Sequence, residues 1–232
     1  MAPQTSSLQT YQKEFIELAI EHHVLKFGDF TLKSGRKSPY FFNTGLFYQA
    51  NALKKLGEFY AQAILHAKDS LKFDLLFGPA YKGIPLATTT GIALSEKGYD
   101  YPITFNRKET KDHGEGGNLI GAPLQGCRVL VLDDVITAGT AFYESKRLIE
   151  SEQATVAGVV IAMNRQETST RSDSNALSAL QEIQQNENIP IINIITLDDL
   201  ITYLQERPNF LSSEMINHML RYREQYGVKS ID

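Results

Sequence analysis

A chain of 232 residues, 42% of them hydrophobic, carries enough apolar material for one substantial core and fits a single domain with room for a small hood. Its 23 basic and 27 acidic side chains leave a formal charge of -4, which provides no broad field to attract nucleic acid or an anionic membrane, so any phosphate binding has to rest on local basic sites. The single cysteine, Cys127, excludes an internal disulfide and a thiolate metal cluster, points to a reducing cytoplasmic compartment, and reads as an inert, partly buried thiol ahead of the apolar run at 128–132.

The amino end, MAPQTSSLQT, lacks the basic-then-apolar order of a secretory signal, and the chain has no run of about eighteen apolar residues. The histidines at 22, 23, 66, 113 and 218 form no HExxH and no close ligand grouping, so a metal is expected to arrive with a phosphate ligand. Leu8, Tyr11, Phe15, Leu18 and Ala19 recur at helical spacing and predict a first helix over 8–21. Residues 24–47 change character, mixing Phe and Thr with Gly28, Gly35, Pro39 and Gly45, and predict a hood of short strands and turns.

Leu53, Leu56, Tyr60, Ala63 and Ile64 restore the helical period and lead into a strand at 73–77. A helix over 84–95, a strand over 101–106, a loop to Gly121 and a strand over 128–133 follow. The rhythm then repeats with helix 140–152, strand 155–163, a helix near 174–185 and strand 189–195, after which Thr196 and Asp199 suit a helix-capping pair. The runs VLVL and VAGVVIAM are almost wholly apolar, as strands are when helices cover both faces of a parallel sheet. The fold class is therefore α/β, an open parallel sheet flanked by helices, with 24–47 contributing the hood of one domain spanning 1–232. Residues 165–173 are polar enough to predict a mobile loop.

The strongest chemical signal is VLVLDDVITAGT at 129–140, a buried strand ending in two carboxylates and a small-residue turn that opens a helix. Backbone amides around Thr137 to Thr140, at the positive end of that helix, suit a phosphate, and the threonine hydroxyls add donors. Asp133 and Asp134 would repel a phosphate, so they suit vicinal ribose hydroxyls, or a magnesium ion reached through water. The segment is neither a Walker A loop nor a dinucleotide fingerprint.

This segment resembles the ribose-phosphate signature of type I phosphoribosyltransferases. KSGRKSPYFFN (33–43), GPAYKGIP (78–85), FNRKETKDHGEGG (105–117) and NRQ (164–166) extend the likeness to about 8–228 and resemble the orotate branch of that family. The resemblance implies reversible, magnesium-dependent exchange between orotate plus phosphoribosyl pyrophosphate and orotidine 5'-monophosphate plus pyrophosphate, in de novo pyrimidine synthesis. It also implies a type I phosphoribosyltransferase-like fold and a cytoplasmic homodimer whose active-site loop is shared between subunits, with no nucleic-acid or membrane partner.

By the same likeness Lys33, Tyr81, Lys82, Arg107, Lys108, Lys111 and His113 contact phosphoribosyl pyrophosphate, together with Asp133, Asp134, Val135, Ile136, Thr137, Ala138, Gly139, Thr140 and Ala141. Phe41, Phe42, Thr137 and Arg165 serve orotate, Arg165 by pairing with its carboxylate. Read from the residues alone, packing inside the hood suits Phe41 as well as a base platform does, Arg36 and Lys37 suit ordinary surface charges, and 107–118 suits either a closing clamp or a solvated hairpin. Lys111, His113, Asp133 and Asp134 are the expected catalytic set, with Lys111 and His113 on the leaving pyrophosphate. No direct protein ligand to magnesium is assigned. Competing readings are a phosphoribosyltransferase for another nucleobase and a regulator that binds phosphoribosyl pyrophosphate without reacting it.

Overall fold

The computed structural model describes residues 8–32, 35–111, 117–168, 177–207 and 209–228. Helix α1 (Thr10–Glu21) precedes strands β1 (Leu25–Thr31) and β2 (Lys37–Phe42), a 3-10 turn at Thr44–Leu46 and helix α2 (Ala50–His66). Next come β3 (Leu75–Gly78), α3 (Gly83–Ser95), β4 (Ile103–Lys111), β5 (Gly117–Gly121), β6 (Arg128–Asp133) and α4 (Thr140–Ser151). The chain continues through β7 (Thr155–Asn164), α5 (Ala179–Glu187), β8 (Ile191–Thr196), α6 (Leu197–Gln205) and α7 (Ser213–Tyr226).

Six strands join in the order β5-β4-β3-β6-β7-β8. All neighbours are parallel except β4 and β5, which gives the expected parallel sheet an antiparallel edge. The segment expected as a loop after Asn106 instead prolongs β4 to Lys111, and β5 returns beside it with Thr104 opposite Gly121 and Asn106 opposite Leu119. Pairing with β3 stops at Phe105, so the rest of β4 runs past the covered part of the sheet and its sequence need not be apolar.

Successive side chains of a strand point to opposite faces, and here each face meets helices. In β6, Val129 and Val131 pack with Phe142 and Ile149 of α4 and Ile183 of α5, whereas Leu130 and Leu132 join Phe59 and Tyr60 of α2 and Leu94 of α3. Likewise β7 sends Val159 and Ile161 to the first cluster and Val160 and Ala162 to the second. Burial on both sides is why these strands read as unbroken apolar runs.

Strands β1 and β2 form a separate antiparallel pair, with Leu25 opposite Phe42 and Phe27 opposite Tyr40. Helix α7 packs on this pair, the Tyr222 ring standing edge-on to Tyr40 with centroids 6.1 Å apart. Sequence periodicity did not announce α7, because only Met219 and Tyr222 of its residues are buried. The capping pair of α6 is present: Thr196 Oγ1 accepts from the Asp199 amide at 3.0 Å, and Asp199 Oδ2 accepts from the Thr196 amide at 2.8 Å.

Helix α5 starts at Ala179, capped by Ser178, later than its sequence suggested; residues 169–176 lie outside the described residues. The predicted mobile loop is tied down at its start. Thr168 donates its amide to the Tyr226 carbonyl and Val228 donates to that of Gln166, each at 2.8 Å, so polar residues at 165–168 serve α7. Among the described residues no helix is long and apolar enough to cross a membrane.

Candidate active site

The carboxyl end of β6 organises the site. Asp134, 5% exposed, accepts from Lys82 Nζ at 2.7 Å and from Thr44 Oγ1 at 3.0 Å, both on Oδ2, while its Oδ1 accepts from the Val135 amide at 2.9 Å. Asp133 Oδ1 accepts from the Asp134 amide at 2.8 Å, and Tyr60 donates its hydroxyl to the Asp133 carbonyl at 2.7 Å. Burial first, and then the neighbouring charge of Asp134, push the Asp133 carboxyl up to about 7. The Asp134 carbonyl accepts from the Ala162 amide at 3.0 Å, which fastens the end of β7 to the same point.

Beyond the two carboxylates, Val135 and Ile136 are half-buried and anchor the turn in the two apolar clusters. Thr137, Ala138, Thr140 and Ala141 are exposed. Gly139 caps α4 with φ +75°, a left-handed conformation that side chains resist, and it has no side chain to cap the helix. The amides of the first turn of α4 are thus presented at an open helix terminus suited to an anion.

The loop after β3 reaches the site from the other side. A Cβ on Gly78 would stand 2.2 Å from the Gly83 carbonyl oxygen, so the loop ends close together only because both are glycine. The Ala80–Tyr81 peptide is cis, Tyr81 is 70% exposed, and the Ala80 amide donates to Asn106 Oδ1 at 2.7 Å. Lys82 at its end completes the ion pair with Asp134.

Arg165 follows β7 and is 10% exposed. Its Nε donates to Glu167 Oε1 at 2.9 Å, its guanidinium carbon stands 4.7 Å from the centre of the Tyr40 ring, and its Nη2 is buried with no hydrogen-bond partner among the described residues. An unpartnered buried guanidinium nitrogen is costly and marks a place for an acceptor. Tyr40 also donates its hydroxyl to Glu167 Oε1 at 3.1 Å. Arg36, expected as a surface charge, is 15% exposed, with Nη1 3.8 Å from Glu167 Oε2 and its guanidinium over Tyr226; Lys37 is exposed and donates to Thr31 Oγ1 at 2.7 Å. The loop is further fixed by Gln166, which donates to Asp198 Oδ2 at 2.9 Å, while Arg223 Nε donates to Asp198 Oδ1 at 2.7 Å.

The two phenylalanines part company, as strand alternation requires. The Phe42 ring is in the core, 6.3 Å from that of Phe15, whereas Phe41 is half-buried with its ring 5.6 Å from Phe30. The Phe42 ring therefore packs against α1 in the core, and of the two rings Phe41 is the more open to a planar base.

Asp133, Asp134 and Lys82 thus meet at the carboxyl end of β6, where the 135–141 turn begins, and Arg165 follows the carboxyl end of the adjacent strand β7. Arg107 is half-buried and Lys108 exposed on β4, Lys111 is the last residue of that strand, and Lys33 and His113 lie outside the described residues. Sequence reasoning gave no role to Thr44, Asn43, Tyr60, Asn106 or Glu167. The usable signal for the first two was a polar pair placed directly after an aromatic strand. Among the described residues no three His, Cys, Asp or Glu side chains converge on one point. The Asp133–Asp134 pair offers hard carboxylate oxygens of the type magnesium takes.

A family description, phosphoribosyl transferase domain, matches residues 44–192. The orotate phosphoribosyltransferase of Escherichia coli is 56% identical over 225 residues, covering 95% of this chain and 100% of its own length. That of Cronobacter sakazakii is 56% identical over the same shares. Among solved structures, the orotate phosphoribosyltransferase of Francisella tularensis superposes with a TM-score of 0.82 at 44% identity, covering 92% of this chain and 99% of that one. Leishmania donovani UMP synthase shares the fold at 22% identity, with a TM-score of 0.70 over 92% of this chain and 42% of its own.

Proposed function

The chain belongs to the orotate phosphoribosyltransferases, and from that membership we propose how its residues carry a phosphoribosyl group between pyrophosphate and orotate in pyrimidine biosynthesis. The observation that carries the assignment of roles is Arg165: a buried guanidinium whose Nη2 has no partner among the described residues, beside the Tyr40 ring and just past β7, the strand that pairs with the Asp133 end of β6. A planar fork of this kind takes the carboxylate of orotate, with Phe41 against the base and Thr137 beside it.

The 5'-phosphate of phosphoribosyl pyrophosphate sits on the 137–141 amides, and Asp133 and Asp134 accept from the ribose hydroxyls. Tyr81, Lys82, Arg107, Lys108 and Lys33 meet the pyrophosphate. Cleavage at ribose C1' develops positive character on the sugar and negative charge on the departing pyrophosphate. Lys82, Lys111 and His113 stabilise the latter, and the buried carboxylates hold the former in place. Deprotonated orotate supplies the nucleophilic ring nitrogen, so no protein nucleophile is required. Asp133 and Asp134 would hold magnesium through water, and the ion would neutralise phosphate charge there.

Residues 24–47 form the hood of a single domain in this reading, the enzyme works in the cytoplasm, and two copies form a dimer in which the 107–118 loop serves the partner's site. The test is release of pyrophosphate from phosphoribosyl pyrophosphate by the purified protein. Release dependent on both orotate and magnesium, and abolished by a chelator, is the expected result; release that survives chelation overturns the magnesium role.

A further inference from the structure

Three donors hold the Asp134 carboxylate, and one of them comes from the hood. Thr44, 6% exposed, sits just beyond β2 and reaches Asp134 Oδ2 across 90 positions of sequence. Its neighbour Asn43 turns Oδ1 toward Lys82 Nζ at 3.4 Å while also accepting from the Gly45 amide at 3.1 Å. The Asn43–Thr44 pair therefore grips both members of the Lys82–Asp134 ion pair from the hood side.

A carboxylate oxygen accepts about two hydrogen bonds. Asp134 Oδ2 already has two, from Thr44 and Lys82, so a ribose hydroxyl that binds there must displace one of them. Lys82 is the mobile donor, since its side chain is 53% exposed on a long stem and has a second acceptor in Asn43. Thr44 is short, buried and fixed by the turn at Thr44–Leu46.

We infer that Thr44 is a positioning residue for phosphoribosyl pyrophosphate: its hydroxyl stays on Asp134 Oδ2 while Lys82 moves off, keeping the carboxylate oriented toward the ribose. This rests on the ribose role of Asp134 proposed above. Without that hydroxyl the carboxylate loses the one buried side-chain donor that holds its orientation once Lys82 has moved off, so the ribose acceptor is poorly placed and substrate binds more weakly.

Calorimetric titration with phosphoribosyl pyrophosphate tests the inference. Thr44→Val, which keeps the shape, is expected to weaken binding about tenfold. Thr44→Ala, a second hydroxyl-free variant, should do the same, Thr44→Ser should restore the wild-type value, and KM for orotate at saturating phosphoribosyl pyrophosphate should stay near wild type. In an Asp134→Ala background Thr44→Val should add nothing. Wild-type affinity in both hydroxyl-free variants, or a full further loss in the Asp134→Ala background, overturns the inference. If Asp134→Ala itself binds normally, the ribose role of Asp134 and the inference fall together, whereas a weakened Asp134→Ala beside unaffected Thr44 variants sinks the inference alone.

Discussion

Arg165 gives its Nε to Glu167 at 2.9 Å while its buried Nη2 has no partner among the described residues, so one edge of the guanidinium is fixed by the protein and another is left for an acceptor. In its proposed role, replacing it removes a charge-assisted partner from the orotate carboxylate. Arg165→Ala is expected to weaken orotate binding by about 2 to 4 kcal/mol while leaving the affinity for phosphoribosyl pyrophosphate unchanged. The apparent affinity for orotate at saturating phosphoribosyl pyrophosphate measures this; no change there removes Arg165 from the base site.

Asp133 links function to stability. Its carboxyl, raised from 3.8 to about 7 by burial and by Asp134, keeps its proton in the folded protein at pH values where the unfolded chain has lost it. The unfolded state binds fewer protons between about pH 4 and 7, so the stability of the wild type falls as pH rises through that window. Asp133→Asn carries no such charge. It should be more stable than wild type by on the order of 2 kcal/mol at pH 8, with the difference fading toward pH 4. Denaturant titrations of the ligand-free proteins at both pH values check this, and a difference independent of pH contradicts the assignment of the shift to Asp133.

At Gly83 an added Cβ would lie 2.6 Å from Pro79 Cδ, 2.7 Å from the Gly78 carbonyl carbon and 2.9 Å from the Leu132 carbonyl oxygen. Backbone and ring atoms cannot swing aside, so Gly83→Ala should destabilise the fold by about 1 to 3 kcal/mol and displace Lys82. An unchanged denaturation midpoint would show that the close approach of the 78–83 loop to β6 is not required.

Much of this was legible in the sequence because burial on both faces leaves a plain mark. Strand β6 lies exactly where the VLVL run placed it, at Arg128–Asp133, and the Thr196–Asp199 capping pair starts α6. The carboxylate pair and glycine turn were visible because each needs a particular residue type at a particular point. Strand β5 and helix α7 were not, since an edge strand and a helix with two buried residues carry little periodicity. Contacts between distant segments were also silent: nothing in the sequence joins Thr44 to Asp134, or Arg36 to Glu167, until β2 and its flanking residues pack against the ends of β6 and β7.

The proposed dimer with a shared loop makes a countable prediction. Lys111→Ala damages the loop and Asp134→Ala the core, and mixing the two under subunit exchange yields about half heterodimers, each with one site built from an intact core and the partner's intact loop. Activity should recover to roughly a quarter of wild type if sites act independently. Heterodimers verified by mass tags that stay as inactive as either parent would place the loop on its own subunit.

The most direct test of the account is the ratio of kcat/KM for orotate to that for uracil, measured with phosphoribosyl pyrophosphate and magnesium in the wild type and in Arg165→Ala. Uracil lacks the carboxylate that Arg165 is held to receive, so the wild type should prefer orotate by at least about two orders of magnitude, and the substitution should erase most of that preference by lowering the orotate value alone. A wild type that uses uracil as well as orotate, or an Arg165→Ala protein that keeps the wild-type ratio, would contradict it.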